Sequence, residues 1–345
     1  MHHSTSILII HQGALGDLIM SLPALYSLRL FYEGIPWTMA GNPGALSLLH
    51  NRFYAQDVIS FHQKEWAWLF QEESEIPEMF RCYLSAFQKA FLFSVHQPNL
   101  LIKGLNRAGM KNIFCIPSLP DIEEGITLKS LQKKILESEN IPWLDPGKTI
   151  FPDRGDLGKA SEYLRSSLRL KDGQWLWAIH PGSGGLHKNW PLERFLETAG
   201  KLKAGGQVQP VFLSGPAEEE AGLFSVKKIQ SRGFPVIRDL SLPLLASILF
   251  FCKGYLGNDS GISHLAAAVG IPTVVLFGPT DPAFWSPQGT DVKIISPDCS
   301  CAPCDHKTMQ NCLKKECLDS LRVERVLEII GARIKKKSLG QLIKD

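Results

Sequence analysis

From residue 6 to residue 277 the chain alternates short β-rich runs with amphipathic helical stretches, and this alternation constrains the fold more than any other feature. Strand–helix–strand repetition at such spacing requires parallel strands joined by right-handed crossovers. In the first half, Ser6–Ile10, Pro36–Ala40, Asp57–Phe61, Phe91–Val95 and Asn112–Ile116 read as strands. A helix over Leu18–Leu30 carries apolar residues at 18, 22, 25 and 28, and Pro23 within it predicts a kink or a fresh start. Prolines and glycines punctuate the stretch from Pro142 to Asp172, as a linker would, and a helix over Lys159–Leu170 follows. The second half restarts with strands at Trp175–His180, Val208–Ser214, Pro235–Arg238, Gly254–Gly257 and Thr273–Phe277. Helices at Pro191–Ala204, Glu218–Ser231, Leu242–Phe251 and Gly261–Val269 alternate with them, and Leu321–Ile334 reads as a last helix. The expectation is an α/β protein of two doubly wound domains, 1–158 and 159–345, facing a cleft, in keeping with 345 residues. Ligands of such sheets bind beyond the carboxyl ends of the strands.

Composition narrows the partners. A formal net charge of +3 carries no basic stripe of the kind nucleic-acid binding needs, so no nucleic acid is expected. Hydrophobic content of 44% with 21% charged residues excludes wholesale disorder. The longest apolar run, Leu242–Phe251, falls well short of the roughly 18 residues that span a bilayer. No targeting signal is legible at the amino terminus, and a cytoplasmic protein is expected.

Three strand-end loops carry the chemistry. The first, His11–Asp17, opens a helix with Gly13 and Gly16 but lacks the third glycine of a dinucleotide fingerprint, and no acidic residue closes a strand about 20 residues on. Asp17 reads either as a helix-start cap or as a carboxylate able to act as general base. The second, His180–Pro191, offers Gly182, Ser183, Gly184 and Gly185 as an anion-approaching turn, with Lys188 as a cation beside it. The alternative for Lys188 is a solvated lysine in a flexible turn. The third, Gly257–His264, places Ser260 as cap of a helix whose free N–H groups favour phosphate, and Ser260 and His264 share a face. Asp259 and Gly261 complete that loop.

No two aspartates stand two apart in the chain, so a diphosphate must be met by Lys188, helix ends and backbone donors rather than by a metal between paired carboxylates. Five cysteines crowd residues 299–317. The spacing of Cys301, Cys304, Cys312 and Cys317 would permit a four-thiolate zinc site, although buried thiols or a disulfide are the favoured reading. No catalytic role is expected of them, because no motif loop adjoins them in sequence. The basic tail (Arg333, Lys335, Lys336, Lys337 and Lys344) reads as a solvated face, with contact to an anionic inner leaflet as the alternative.

Taken together, four segments resemble glycosyltransferase family 9, the lipopolysaccharide heptosyltransferases. They are Gly16-Asp17 with Ser21–Leu25, His180–Ser183 with Lys188–Pro191, Asn258–Gly261 with Ser263-His264, and Phe277–Pro282. Residues of about 50 to 140 carry no matching motif. The resemblance implies a GT-B fold of two Rossmann-like domains, a carboxy-terminal one for ADP-heptose and an amino-terminal one for the lipid A–Kdo or inner-core acceptor. It implies Asp17 as catalytic base and Lys188 as the diphosphate contact. It further implies Asp259, Ser260, Gly261 and His264 as the donor loop, Ser183 and Gly184 as diphosphate lining, and Glu218 as the ribose-holding acid. No cofactor is implied, and transfer would be inverting and metal-independent. The alternatives are a GT-B transferase or epimerase acting on another nucleotide sugar, or a non-catalytic nucleotide-binding protein.

Overall fold

The structure, a computed structural model, describes residues 6–71, 75–95, 98–168, 173–215 and 225–342, without the side chains of 306 and 336–342. The chain divides into two compact units, Met1–Phe151 and Pro152–Asp345. Each is built on a parallel sheet.

In the first unit, β1 (Ile7–His11), β2 (Trp37–Gly41), β3 (Asp57–Ser60), β4 (Lys89–Ser94) and β5 (Ile113–Pro117) lie in the order β3-β2-β1-β4-β5. β1 is central and buried along its whole length, which is why it reads as an unbroken apolar run rather than an alternating one. The strand order reverses between β1 and β4, so the loop after β1 lies at the topological switch point. The helix Leu15–Phe31 that follows continues through Pro23, so of the kink or fresh start expected there the fresh start does not occur. Leu22, Ala24 and Leu25 beside the proline are fully buried, and that packing outweighs the one backbone hydrogen bond the proline cannot make.

In the second unit, β6 (Trp175–His180), β7 (Val208–Ser214), β8 (Val236–Arg238), β9 (Gly254–Asn258), β10 (Thr273–Leu276) and β11 (Val292–Ile295) form a sheet in the order β11-β10-β9-β6-β7-β8. β11 is missing from the reading above: four residues at a sheet edge, only one of them fully buried, leave little periodicity to detect. The order reverses between β6 and β9, where His180 pairs with Gly257, so the second and third loops leave adjacent strand ends.

Two boundaries differ from the expectation. The helix read at Lys159 begins at Arg154, because the Asp153 side chain accepts the Asp156 N–H at 2.7 Å and caps it. Gly155 and Gly158 therefore lie inside a helix, and the units join at Phe151–Pro152 rather than at 158. The last helix runs Val323–Leu342, and Leu318, Leu321, Val326 and Ile330 enter the same core as Trp177, Phe195 and Phe212. The helix expected over Glu218–Ser231 is seen from Val226 on, and Glu218 lies outside the described residues.

Candidate functional site

Asn258, fully buried at the end of β9, holds the second and third loops together. Its amide donates to the Pro181 carbonyl at 2.8 Å, and its oxygen accepts the Trp190 N–H at 3.1 Å. Trp190 is anchored in turn by its ring N–H on the Leu321 carbonyl at 3.0 Å. Between these fixed points the chain turns through a short 3-10 segment, Leu186–Lys188, that presents Lys188. The lysine is not a solvated surface residue: Nζ sits 2.7 Å from Asp259 Oδ2, with side-chain exposures of 27% and 7%. Thr280 donates to the same oxygen at 2.7 Å.

The third loop opens the helix Gly261–Val269. Ser260 caps it by accepting the Ser263 N–H, and Gly270 ends it in the left-handed conformation. Ser263 Oγ donates to the Asn258 carbonyl at 2.5 Å and meets Tyr255 Oη at 3.0 Å. Tyr255 reaches that far only because Gly257, two residues along the same strand face, has no side chain; a Cβ there would lie 2.3 Å from the phenolic oxygen. Nearly all of this scaffold is buried.

Four buried polar atoms in these loops have no protein partner: His187 Nδ1, both amide atoms of Asn189, and His264 Nδ1. An unpartnered buried polar group costs about 1–3 kcal/mol, so a concentration of them beside a cation marks a place meant to meet water or ligand. Burial pushes the His264 imidazole down to about 4, against the pull of the Asp259 carboxylate and the Trp285 backbone. The ring is therefore neutral at neutral pH, and the positive groups beside it are Lys188 and the N-terminal end of its own helix. Ser183 turns its hydroxyl into its own loop, donating to the Gly185 carbonyl at 2.8 Å, whereas Gly184 borders open space.

In the first unit Asp17 lies in the first turn of its helix, not at the N-cap, and its Oδ2 accepts the Ala14 N–H at 3.0 Å. A Cβ on Gly13 would come within 2.7 Å of Asp17 Cβ and 2.9 Å of the His11 ring, so only glycine fits there; Gly16 lies in the helix itself. Behind Asp17, Ser21 donates to its backbone carbonyl at 2.9 Å, and Gln132 donates to Ser21 at 3.1 Å. His11, buried and held at a pKa of about 4 by desolvation, completes this polar layer. The sequence offers no signal for Gln132, which sits in the region without motifs.

All eight cysteines are free, and among the described residues no group of three or more His, Cys, Asp or Glu side chains is placed to hold a metal ion, so Cys301, Cys304, Cys312 and Cys317 do not form one. Sequence distance misleads about this segment: Lys315 donates to the Leu186 carbonyl at 3.1 Å, and the Cys304 N–H to the Pro279 carbonyl at 2.7 Å, so it does adjoin the motif loops. Arg333 is not part of a solvated tail but pairs with Asp291 at 3.1 Å. Among the described residues no helix is long and apolar enough to cross a membrane.

Residues 157–315 match the family model of glycosyltransferase family 9 (heptosyltransferase). The chain is 24% identical over 323 residues to lipooligosaccharide heptosyltransferase 2 of Campylobacter jejuni, covering 92% of this chain and 95% of that one. It is 33% identical over 155 residues to lipopolysaccharide heptosyltransferase 1 of Pseudomonas aeruginosa, covering 45% and 42%. The fold is similar to that of Escherichia coli ADP-heptose lps heptosyltransferase II, with a TM-score of 0.70, 18% identity, and coverage of 97% and 100%. Two doubly wound units with these strand orders give the chain the GT-B fold of that structure. Just under half of the chain, residues 157–315, thus resembles glycosyltransferase family 9 (heptosyltransferase), and nearly its whole length is similar to a lipooligosaccharide heptosyltransferase.

Proposed function

We propose that the protein transfers a heptose from ADP-heptose to a lipid-linked lipopolysaccharide acceptor, lipid A–Kdo or inner core, with inversion and without a divalent metal. The observation that carries this reading is the cation at the second switch point: Lys188 at 2.7 Å from Asp259, beside the N-terminus of the helix Gly261–Val269 and unpartnered buried atoms of His187, Asn189 and His264. A nucleoside diphosphate leaving group needs positive charge and N–H dipoles as the anomeric carbon gains positive character. Lys188 supplies the first and the helix end the second, with Ser183, Gly184, Ser260 and Gly261 lining the diphosphate. Asp259 and neutral His264 meet sugar hydroxyls, which need hydrogen-bonding groups and no net charge. Asp17 takes the proton of the acceptor hydroxyl as general base. Glu218 is assigned to the ribose on its sequence resemblance. The absence of any Asp-x-Asp pair supports charge handling by protein groups, hence activity without metal. The relative named for ADP-heptose supports the donor, and the lipooligosaccharide and lipopolysaccharide enzymes support the acceptor. A lipid-linked acceptor brings the protein to the cytoplasmic face of the inner membrane as a peripheral visitor.

Thermal shift with a panel of nucleotides and nucleotide sugars tests this. ADP and ADP-heptose should raise the melting temperature at concentrations where UDP and UDP-sugars do not, because only a ligand of the native state shifts unfolding. Equal or greater stabilisation by UDP overturns the donor assignment.

A further inference from the structure

Asp259 Oδ2 receives two donors at once, Lys188 Nζ and Thr280 Oγ1, each at 2.7 Å. Any reading in which Lys188 engages a diphosphate draws its charge away from that oxygen. A buried carboxylate that loses its only partner either follows the cation or pays for desolvation. A second donor on the same oxygen removes that choice. Thr280 is well placed for this, because its own turn is held from beneath. The Pro279 carbonyl accepts the Cys304 N–H at 2.7 Å, and Leu318 packs so closely under Gly278 that a Cβ there would lie 2.6 Å from its Cδ2. The cysteine-rich segment thus seats the turn that carries Thr280, just as Lys315 of the same segment grips the turn that carries Lys188.

We propose that Thr280 is a positioning residue of the donor site: its hydroxyl holds the Asp259 carboxylate in place while Lys188 moves from that carboxylate to the donor's diphosphate. The proposal rests on the donor-site reading above and adds to it a residue that touches neither diphosphate nor acceptor. A bystander threonine would instead affect folding alone.

Calorimetric titration of ADP-heptose into the full chain, with steady-state kinetics beside it, tests this. Thr280→Val should weaken donor binding about tenfold, the loss expected for a hydrogen bond to a charged group, and should raise the donor KM more than it lowers kcat. Thr280→Ser, which keeps the hydroxyl, should bind within about threefold of the parent chain. In an Asp259→Asn background Thr280→Val should add less than about twofold, because the two residues act through one contact. Unchanged binding in Thr280→Val, an equal loss in Thr280→Ser, or additive losses in the double variant would each overturn the proposal. Asp259→Asn with undiminished affinity would instead overturn the donor-site reading, a separate result. Should Thr280→Val not fold, Thr280→Ala carries the same expectations, with the melting temperature as the control.

Discussion

Lys188 and Asp17 illustrate how a single charged residue is defined by what it meets. Lys188 faces a carboxylate that is 7% exposed, so Lys188→Met both removes the cation proposed for the leaving diphosphate and leaves Asp259 without its counter-charge, held by Thr280 alone. Turnover per donor encounter should fall by about a hundred- to a thousandfold, on the order of 3–4 kcal/mol in transition-state terms, and kcat/KM for ADP-heptose measures it. A parallel drop in melting temperature is expected and should be relieved by Asp259→Asn. Asp17 already accepts one backbone N–H at 3.0 Å, a duty that asparagine performs nearly as well. Asp17→Asn should therefore cost about 1 kcal/mol of stability or less, leave the Kd for ADP-heptose unchanged, and cut turnover by a hundred- to ten-thousandfold. Near-normal turnover would leave Asp17 with its helix-start duty alone.

At the scale of elements, β9 and the helix after it act as one piece. Tyr255, Gly257 and Ser263 lock strand to helix in a buried hydrogen-bonded stack, and Asn258 ties that stack to the Lys188 loop. Gly257→Ala should displace the tyrosine, destabilise the protein by about 1–3 kcal/mol in urea unfolding, and weaken donor binding as the helix N-terminus shifts. A loss of stability with intact donor affinity would show that the helix end holds its place without the tyrosine. The motif loops were legible in the sequence because glycine, serine and charge cluster there, at the ends of clear strands. Asn258 and Thr280 stood in plain view with no role. Their meaning is a contact across 77 residues to Pro181 and 21 residues to Asp259, which no local pattern records.

For the whole molecule, pH and metal are the informative variables. His11 and His264, one in each unit, are buried and held at about 4, below the ordinary value of 6.5. Between those values the unfolded chain takes up protons that the native protein refuses, so stability should fall as pH drops from 6.5 to 4 and this contribution should level off below 4. Each histidine accounts for up to about 3 kcal/mol, and His264→Gln should flatten its share of the melting-temperature profile. Excess EDTA should leave transfer intact if Lys188 and the helix end carry the diphosphate. Magnesium-restored activity after chelation would count against that charge arrangement.

What the sequence determined by itself was the alternation of strands and helices, hence two doubly wound units, and the strand-end loops where glycines and charges gather. These follow from short-range physics: periodicity, turn residues and helix caps all act within a few positions. The tertiary structure alone decided that Pro23 leaves its helix unbroken, since buried neighbours outweigh a local defect. It alone set Lys188 on Asp259 and Thr280 beside them, because each contact joins residues far apart in the chain. It also brought the cysteine-rich segment beneath the turns that carry Lys188 and Thr280, where its own sequence neighbourhood gave no hint of one. Local patterns name the residues able to do chemistry; sheet order, by laying β6 against β9, determines which of them meet.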